Sequence, residues 1–112
     1  PLVRSVGLRF RAGYLAHSPI RSERLTLIDT GRMVVSDSEI VFFGASSTTA
    51  TEIRDIVSVD LVRVSNTGHT PLLVSVRRSR GKVRYYQVEH PGDLLGVLVR
   101  LTGADDGISP DP

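Results

Sequence analysis

Short apolar runs that alternate with polar residues dominate the chain, and each run ends at a Gly, Pro, Asp or Ser cluster. Val6-Gly-Leu8-Arg-Phe10-Arg11 reads as a first strand, with apolar residues on one face. Leu25-Thr-Leu27-Ile-Asp29 reads as a second strand, stopped by Thr30-Gly31. Met33-Val-Val35 and Ile40-Val-Phe42-Phe43 follow as two strands joined by a turn over Ser36-Asp-Ser-Glu39. Thr48 to Ile53 is a Thr-rich strand with Thr49, Thr51 and Ile53 on one face, and Ile56 to Val64 is another. Ala16 to Ile20, broken by Pro19, and Ser65 to Pro71 read as loops.

Leu72–Arg77 and Lys82–Glu89 predict a last hairpin, turning on Arg78-Ser-Arg-Gly81. The period then changes from two to about 3.6. Leu94, Leu95, Leu98, Val99 and Leu101 make one apolar stripe, so 91–102 is expected to be a helix laid on a sheet. Pro91 suits its first turn, Asp93 the positive end of its dipole, and Gly103 the residue past its end. The expected architecture is mainly β: about seven antiparallel strands in a small barrel or sandwich, capped by one C-terminal helix. The domain is expected over 1–103, with 104–112 a disordered acidic tail.

Several motifs within these elements resemble the pleckstrin-homology-like (PH-like) superfamily, and more narrowly the bacterial GRAM-like domains. That family has a core pattern of the kind "LDTG.L.(I/V)T..RL.F.G....I.L..I..I", two further strands, and a helix introduced by "NP". Here Ile28-Asp-Thr-Gly31 matches "LDTG", and Gly31-Arg-Met-Val-Val-Ser36 matches "G.L.(I/V)T" with Ser for Thr. Ile40-Val-Phe42-Phe-Gly44 matches "RL.F.G", Thr51-Glu-Ile53 and Asp55 to Val59 match the strand that follows, and His90-Pro91 stands at "NP". The resemblance covers roughly Val6 to Thr102. It departs at Glu39, where the family usually carries Arg, so any role of that Arg is lost or inverted here. The resemblance implies a PH-like fold and a binding module that recruits a protein or peptide partner, acting as an accessory domain of a bacterial cytoplasmic protein. Extended segments commonly dock on such folds at an open sheet edge or beside the helix. The Thr48–Ile53 strand and the Ser65–Pro71 loop are candidate places.

Composition narrows the chemistry. The 112 residues include no cysteine, which excludes disulfides, thiolate catalysis and Cys-based zinc sites. No apolar run approaches the roughly 18 residues of a membrane span, and no signal-peptide pattern is present. His17, His69 and His90 lie at loops or boundaries without ligand spacing, so no metal is expected. There is no nucleophile elbow, and "GASST" at 44–48 lacks the spacing of a phosphate loop. Asp37 and Glu39 on a hairpin tip read as solvated turn residues rather than paired acids. No catalytic residue and no cofactor is expected, and the protein reads as a non-enzyme.

Charge adds one candidate. The net charge is +2, and setting aside the three aspartates of the last ten residues leaves 14 bases against 9 acids, +5. Thirteen of the fourteen bases are Arg, a bias that reads first as that of a GC-rich genome and only second as selection for bidentate anion contacts. Arg77, Arg78, Arg80, Lys82 and Arg84 gather on the last hairpin, and Arg9 and Arg11 share a face of the first strand. These seven are the candidate anion-binding residues. They suggest an alternative in which the basic hairpin holds an anionic membrane surface or, less readily, nucleic acid. Tyr85 and Tyr86 next to them raise base stacking, although the family register puts Tyr86 and Val88 on the core face. A homo-oligomer seamed along an exposed apolar sheet edge is a third alternative.

Overall fold

A computed structural model describes residues 3–8, 20–21, 25–65 and 72–103. The strands are β1 (Val3–Leu8), β2 (Ile20–Arg21), β3 (Leu25–Val35), β4 (Glu39–Gly44), β5 (Thr48–Glu52), β6 (Ile56–Ser65), β7 (Leu72–Arg78) and β8 (Arg84–Gln87). A single 3-10 turn, Ile53–Asp55, separates β5 from β6, and the helix α1 spans Pro91–Thr102. Seven strands form one antiparallel sheet in the order β6-β7-β8-β1-β3-β4-β5, and the two-residue β2 pairs in parallel with the outer side of β6. A curved seven-stranded antiparallel sheet with one C-terminal helix is the expected mainly-β architecture, the arrangement of a PH-like sandwich.

One expectation needs correction. The Thr30-Gly31 stop does not divide two strands: β3 runs unbroken for 11 residues. Gly31 lies directly opposite Gly44 of β4. A Cβ on Gly31 would lie 2.7 Å from the Gly44 Cα and closer still to the Phe43 carbonyl oxygen. Glycine here marks a close approach of two strands, not the end of one. Smaller differences concern boundaries, among them the last strand, which is Arg84–Gln87 rather than Lys82–Glu89. β1 begins at Val3, three residues earlier than expected, with residues 9–11 outside those described. Ile53 leaves the strand for the 3-10 turn while staying buried.

Asp29 explains why the two glycines matter. It lies on the inner face of β3 and is 6% exposed. Its Oδ1 accepts the backbone N–H of Thr30 (2.9 Å) and Ala45 (3.0 Å), its Oδ2 that of Ser47 (3.1 Å), and Ser46 donates to both. The Gly44–Ser47 turn therefore forms a nest of N–H groups around an anion, and the anion is the protein's own carboxylate. A Cβ on Gly44 would collide with that carboxylate and lie 2.7 Å from the Ser47 carbonyl oxygen. The "IDTG" and "FFG" segments are thus two halves of one lock.

The core lies on two faces. Val3, Ile40, Phe42, Ile53, Ile56, Val59, Val74, Val76, Tyr86 and Leu98 form the main cluster inside the fold, with Met33, Val35 and Val88 packed against it. Phe42 and Tyr86 meet with ring centroids 6.0 Å apart. Val6, Val62, Val64, Leu73 and Tyr85 form a second cluster. Neighbouring strand residues point to opposite faces, so Tyr85 and Tyr86 feed different clusters. They are 7% and 3% exposed, which withdraws both from base stacking.

The helix closes the main cluster as its stripe predicts. Leu98 is fully buried, and Leu94, Leu95, Val99 and Leu101 pack beside it. Pro91 opens the first turn, and Gly103 adopts φ 66° while its N–H donates to the Val99 carbonyl (2.9 Å). The expected tail, 104–112, and the Ala16–Pro19 and 66–71 loop positions lie outside the described residues.

Burial pushes the Asp29 carboxyl up, but the four N–H donors outweigh it and hold it below its ordinary value. The ionised form is therefore the one the fold favours. Its contribution is complete above the usual aspartate pKa and is lost as pH falls through the lower folded value. Asp29→Asn keeps one acceptor oxygen and turns an NH2 group towards amide donors. Its thermal midpoint is expected to fall at neutral pH, and its stability should vary less than wild type's between pH 5 and pH 2. Equal acid slopes in the two proteins, measured by thermal melts across that range, would contradict this role.

Candidate functional site

Two hairpin tips converge on the 3-10 turn. In the first, the Ser36 N–H donates to the Glu39 carbonyl (2.9 Å), and Ser36 Oγ accepts from the N–H groups of Ser38 (3.3 Å) and Glu39 (3.2 Å). This is the local Ser bonding expected of the turn. The tip is not a free solvated loop, however: the Ile53 N–H donates to the Ser38 carbonyl at 2.9 Å. In the second, the Ser79 N–H donates to the Asp55 carbonyl at 2.9 Å. Residues 53–55 thus take one bond from each hairpin.

This docking leaves a groove of about 540 Å³ between the first tip and the end of α1. Asp37 and Ser38 form one wall, Glu52 and Arg54 another, and Thr102 closes the helix side. Ile53, Ile56 and Leu101 make its apolar floor. Arg54 Nε donates to Glu52 at 2.9 Å, and that pair is solvent-exposed and of small energetic weight. The groove lies beside the helix, one of the two kinds of place expected from the resemblance. The residues that line it come from three stretches of the chain, 37–38, 52–56 and 101–102, so sequence spacing could not assemble it. The Ser38–Ile53 bond, 15 residues apart in the chain, carries no local signal.

The basic hairpin is divided between faces. Arg77, Arg80 and Lys82 are exposed. Arg78 and Arg84 share the inner face with Val76, because Arg84 lies opposite Val76 and Arg78 is two residues further along β7. Arg84 reaches across the sandwich to β5, where its Nη1 donates to the Ala50 carbonyl (3.2 Å) and to Thr51 Oγ1. Arg78 Nη2 donates to the Lys82 carbonyl (3.0 Å), while its buried Nε has no acceptor. Burial lowers the pKa of Arg84, and the charge of Arg78 lowers it further. Arg84 is thus a strut from β8 to β5, while Arg78 is tied back to its own β7–β8 turn. The sequence cluster is therefore three exposed cations and two inward ones. Arg9 and Arg11 lie outside the described residues.

Among the described strands β5 is an edge of the sheet, as the Thr48–Ile53 suggestion requires. Arg84 already occupies the Ala50 carbonyl at its middle. An added strand would have to displace that guanidinium, so the groove is the more accessible of the two places.

Among the described residues no group of three or more His, Asp or Glu is placed to hold a metal ion. His90 is exposed beside Glu89 at 3.8 Å, and His17 and His69 lie outside the described residues. No protein-family model, no curated protein and no solved structure matches this chain.

Glu39, where the pattern this chain resembles carries Arg, lies directly opposite Glu52 on β4–β5. Like charges directly opposite on one face are destabilising. Arg at this position would instead meet a carboxylate. Glu39→Arg is expected to raise stability by about 0.2–1 kcal/mol, and added salt should shrink the gain through screening. Urea unfolding at two ionic strengths measures it; a loss of stability at low salt would refute the pairing argument.

Proposed function

We propose that the domain is a non-enzymatic binding module of PH-like kind that takes a short segment of a partner protein into the groove beside the helix. The observation that carries this reading is the lining: an apolar floor of Ile53, Ile56 and Leu101 with carboxylates of Asp37 and Glu52 on its walls. Glu52 is already shared with Arg54, which leaves Asp37 as the open acceptor. The complementary ligand is an extended peptide that presents an apolar side chain next to a Lys or Arg. The resemblance to PH-like domains supports the same class of function and fits an accessory domain of a bacterial cytoplasmic protein. No helix among the described residues is long and apolar enough to cross a membrane.

Selection from a random peptide library tests the proposal. The expected outcome is an apolar–basic consensus whose binding shifts the amide signals of Ser38, Ile53, Arg54 and Thr102. Asp37→Lys, on the exposed tip, should weaken such peptides about fivefold, the size of one exposed charge pair. Signals that move elsewhere, or selected peptides without a basic residue, would overturn it.

A second reading rests on the three outward cations of the β7–β8 turn, Arg77, Arg80 and Lys82, which are free to attract an anionic surface while Arg78 and Arg84 are committed inward. Anionic vesicles should then pellet the domain at about 50 mM salt and release it at about 500 mM. Neutralising the three outward residues should abolish pelleting. Its absence at low salt would eliminate this reading.

A further inference from the structure

The outer face of β3–β4–β5 departs from the rule that a solvated sheet face is polar. Register places Val34, Val41 and Ala50 in one outward row across the three strands, and Arg32, Phe43 and Thr48 in the next. Val34 is 54% exposed and Phe43 44% exposed. On the other side of the Val34 row stands the outward Glu39–Glu52 pair. Farther along β3, Thr30 lies opposite the exposed Arg4 of β1. The face is therefore banded: an acidic pair, an apolar row, then a row in which the cation of Arg32 stands beside Phe43 and Thr48. Successive rows on one face are about 7 Å apart, so the acidic and Arg32 rows stand about 14 Å apart with the apolar row midway.

On β1 and β6–β8 the apolar residues of the same side are covered. Val6 and Tyr85, opposite each other on β1 and β8, belong to the second buried cluster. Apolar cover on one half and bare apolar rows on the other is the pattern of a surface that takes a partner. Among the described residues neither Glu39 nor Arg32 has an ion-pair partner.

The banding selects the partner. A two-fold axis lying in the contact plane along the Val34–Val41–Ala50 row turns the face onto itself. It sets the acidic row of one copy over the Arg32 row of the other, twice, and stacks the apolar rows on each other. Strands then run in opposite directions across the contact, which is compatible with aligned sheet packing at about 30°. A closed isologous pair results, with no leftover surface to propagate. We propose that this outer face of β3–β4–β5 is the interface of a homodimer, with the second copy held by apolar contact and two reciprocal Glu39–Arg32 pairings. The seam is a sheet face, not the sheet edge.

Three strands offer a small interface, so the dimer belongs to the weak end of the scale. Sedimentation velocity on the full chain across about 5 to 500 µM should show the mass rising from 12.2 kDa towards twice that value. Val34→Glu should stay monomeric at every concentration with an unchanged circular dichroism spectrum. Arg32→Glu should weaken association about tenfold or more by facing like charges across the axis. Adding Glu39→Arg to Arg32→Glu exchanges the two charges of each Glu39–Arg32 pairing, with Glu52 left in place, and should restore it. A wild-type chain that is monomeric at the highest concentration would overturn the proposal. So would a dimer that neither Val34→Glu nor Arg32→Glu disturbs, or a charge reversal that fails to rescue.

Discussion

A buried carboxylate at the middle of the longest strand sets the geometry on which the rest of the sheet depends. Asp29 cannot sit in the interior without donors, because an unpaired ionised group away from water is strongly unfavourable. The four N–H groups it takes come from its own successor, Thr30, and from the Ala45–Ser47 turn. That requirement pulls the β4–β5 turn over β3, and the pull is tolerated only where side chains are absent, at Gly31 and Gly44. Register follows. With Gly31 opposite Gly44, Met33 meets Phe42 and Val35 meets Ile40, which turns all four into the interior. A slip of one residue would send each to solvent.

The 3-10 turn at 53–55 plays the corresponding part at the open end of the sandwich. It receives the first hairpin tip through Ser38 and the last through Ser79. The groove is the space those two contacts and the helix leave behind. Arg84 adds a bridge from β8 to β5 by donating to the Ala50 carbonyl. Function on this reading belongs to the gaps between elements and to the bare sheet face, while the recognisable motif residues are occupied in holding the scaffold.

The sequence made the fold largely legible because period and turn chemistry are local. Leu94 through Leu101 declared the helix, and Pro91 and Gly103 its ends. Ile40 and Phe42 declared a buried strand face. Gly31 misled, since a glycine that ends a strand and one that admits a neighbouring backbone look the same until the neighbour is known. The basic hairpin misled in another way. Five bases close together in sequence read as one patch, yet strand alternation turns Arg78 and Arg84 inward. Resolving that needed the pairing of Arg84 with Val76. The tip at Asp37-Ser38-Glu39 read correctly as a turn, but its role as the wall of a groove depends on Ile53.

By itself the sequence determined the mainly-β class, the helix with its buried stripe, the inward face of the Met33–Phe42 hairpin and the absence of cysteine chemistry, each a property of neighbouring residues or of composition. It also held the lock in plain sight, as Ile28-Asp-Thr-Gly31 and Phe42-Phe-Gly44, without saying that one half closes on the other. Only the tertiary structure decided which charges face inward, where the groove lies, and that Glu39, Val34 and Arg32 form three bands on one face. Those outcomes depend on strand order and register, which are fixed by contacts between distant residues and by a buried charge seeking donors, and neither leaves a periodic trace along the chain.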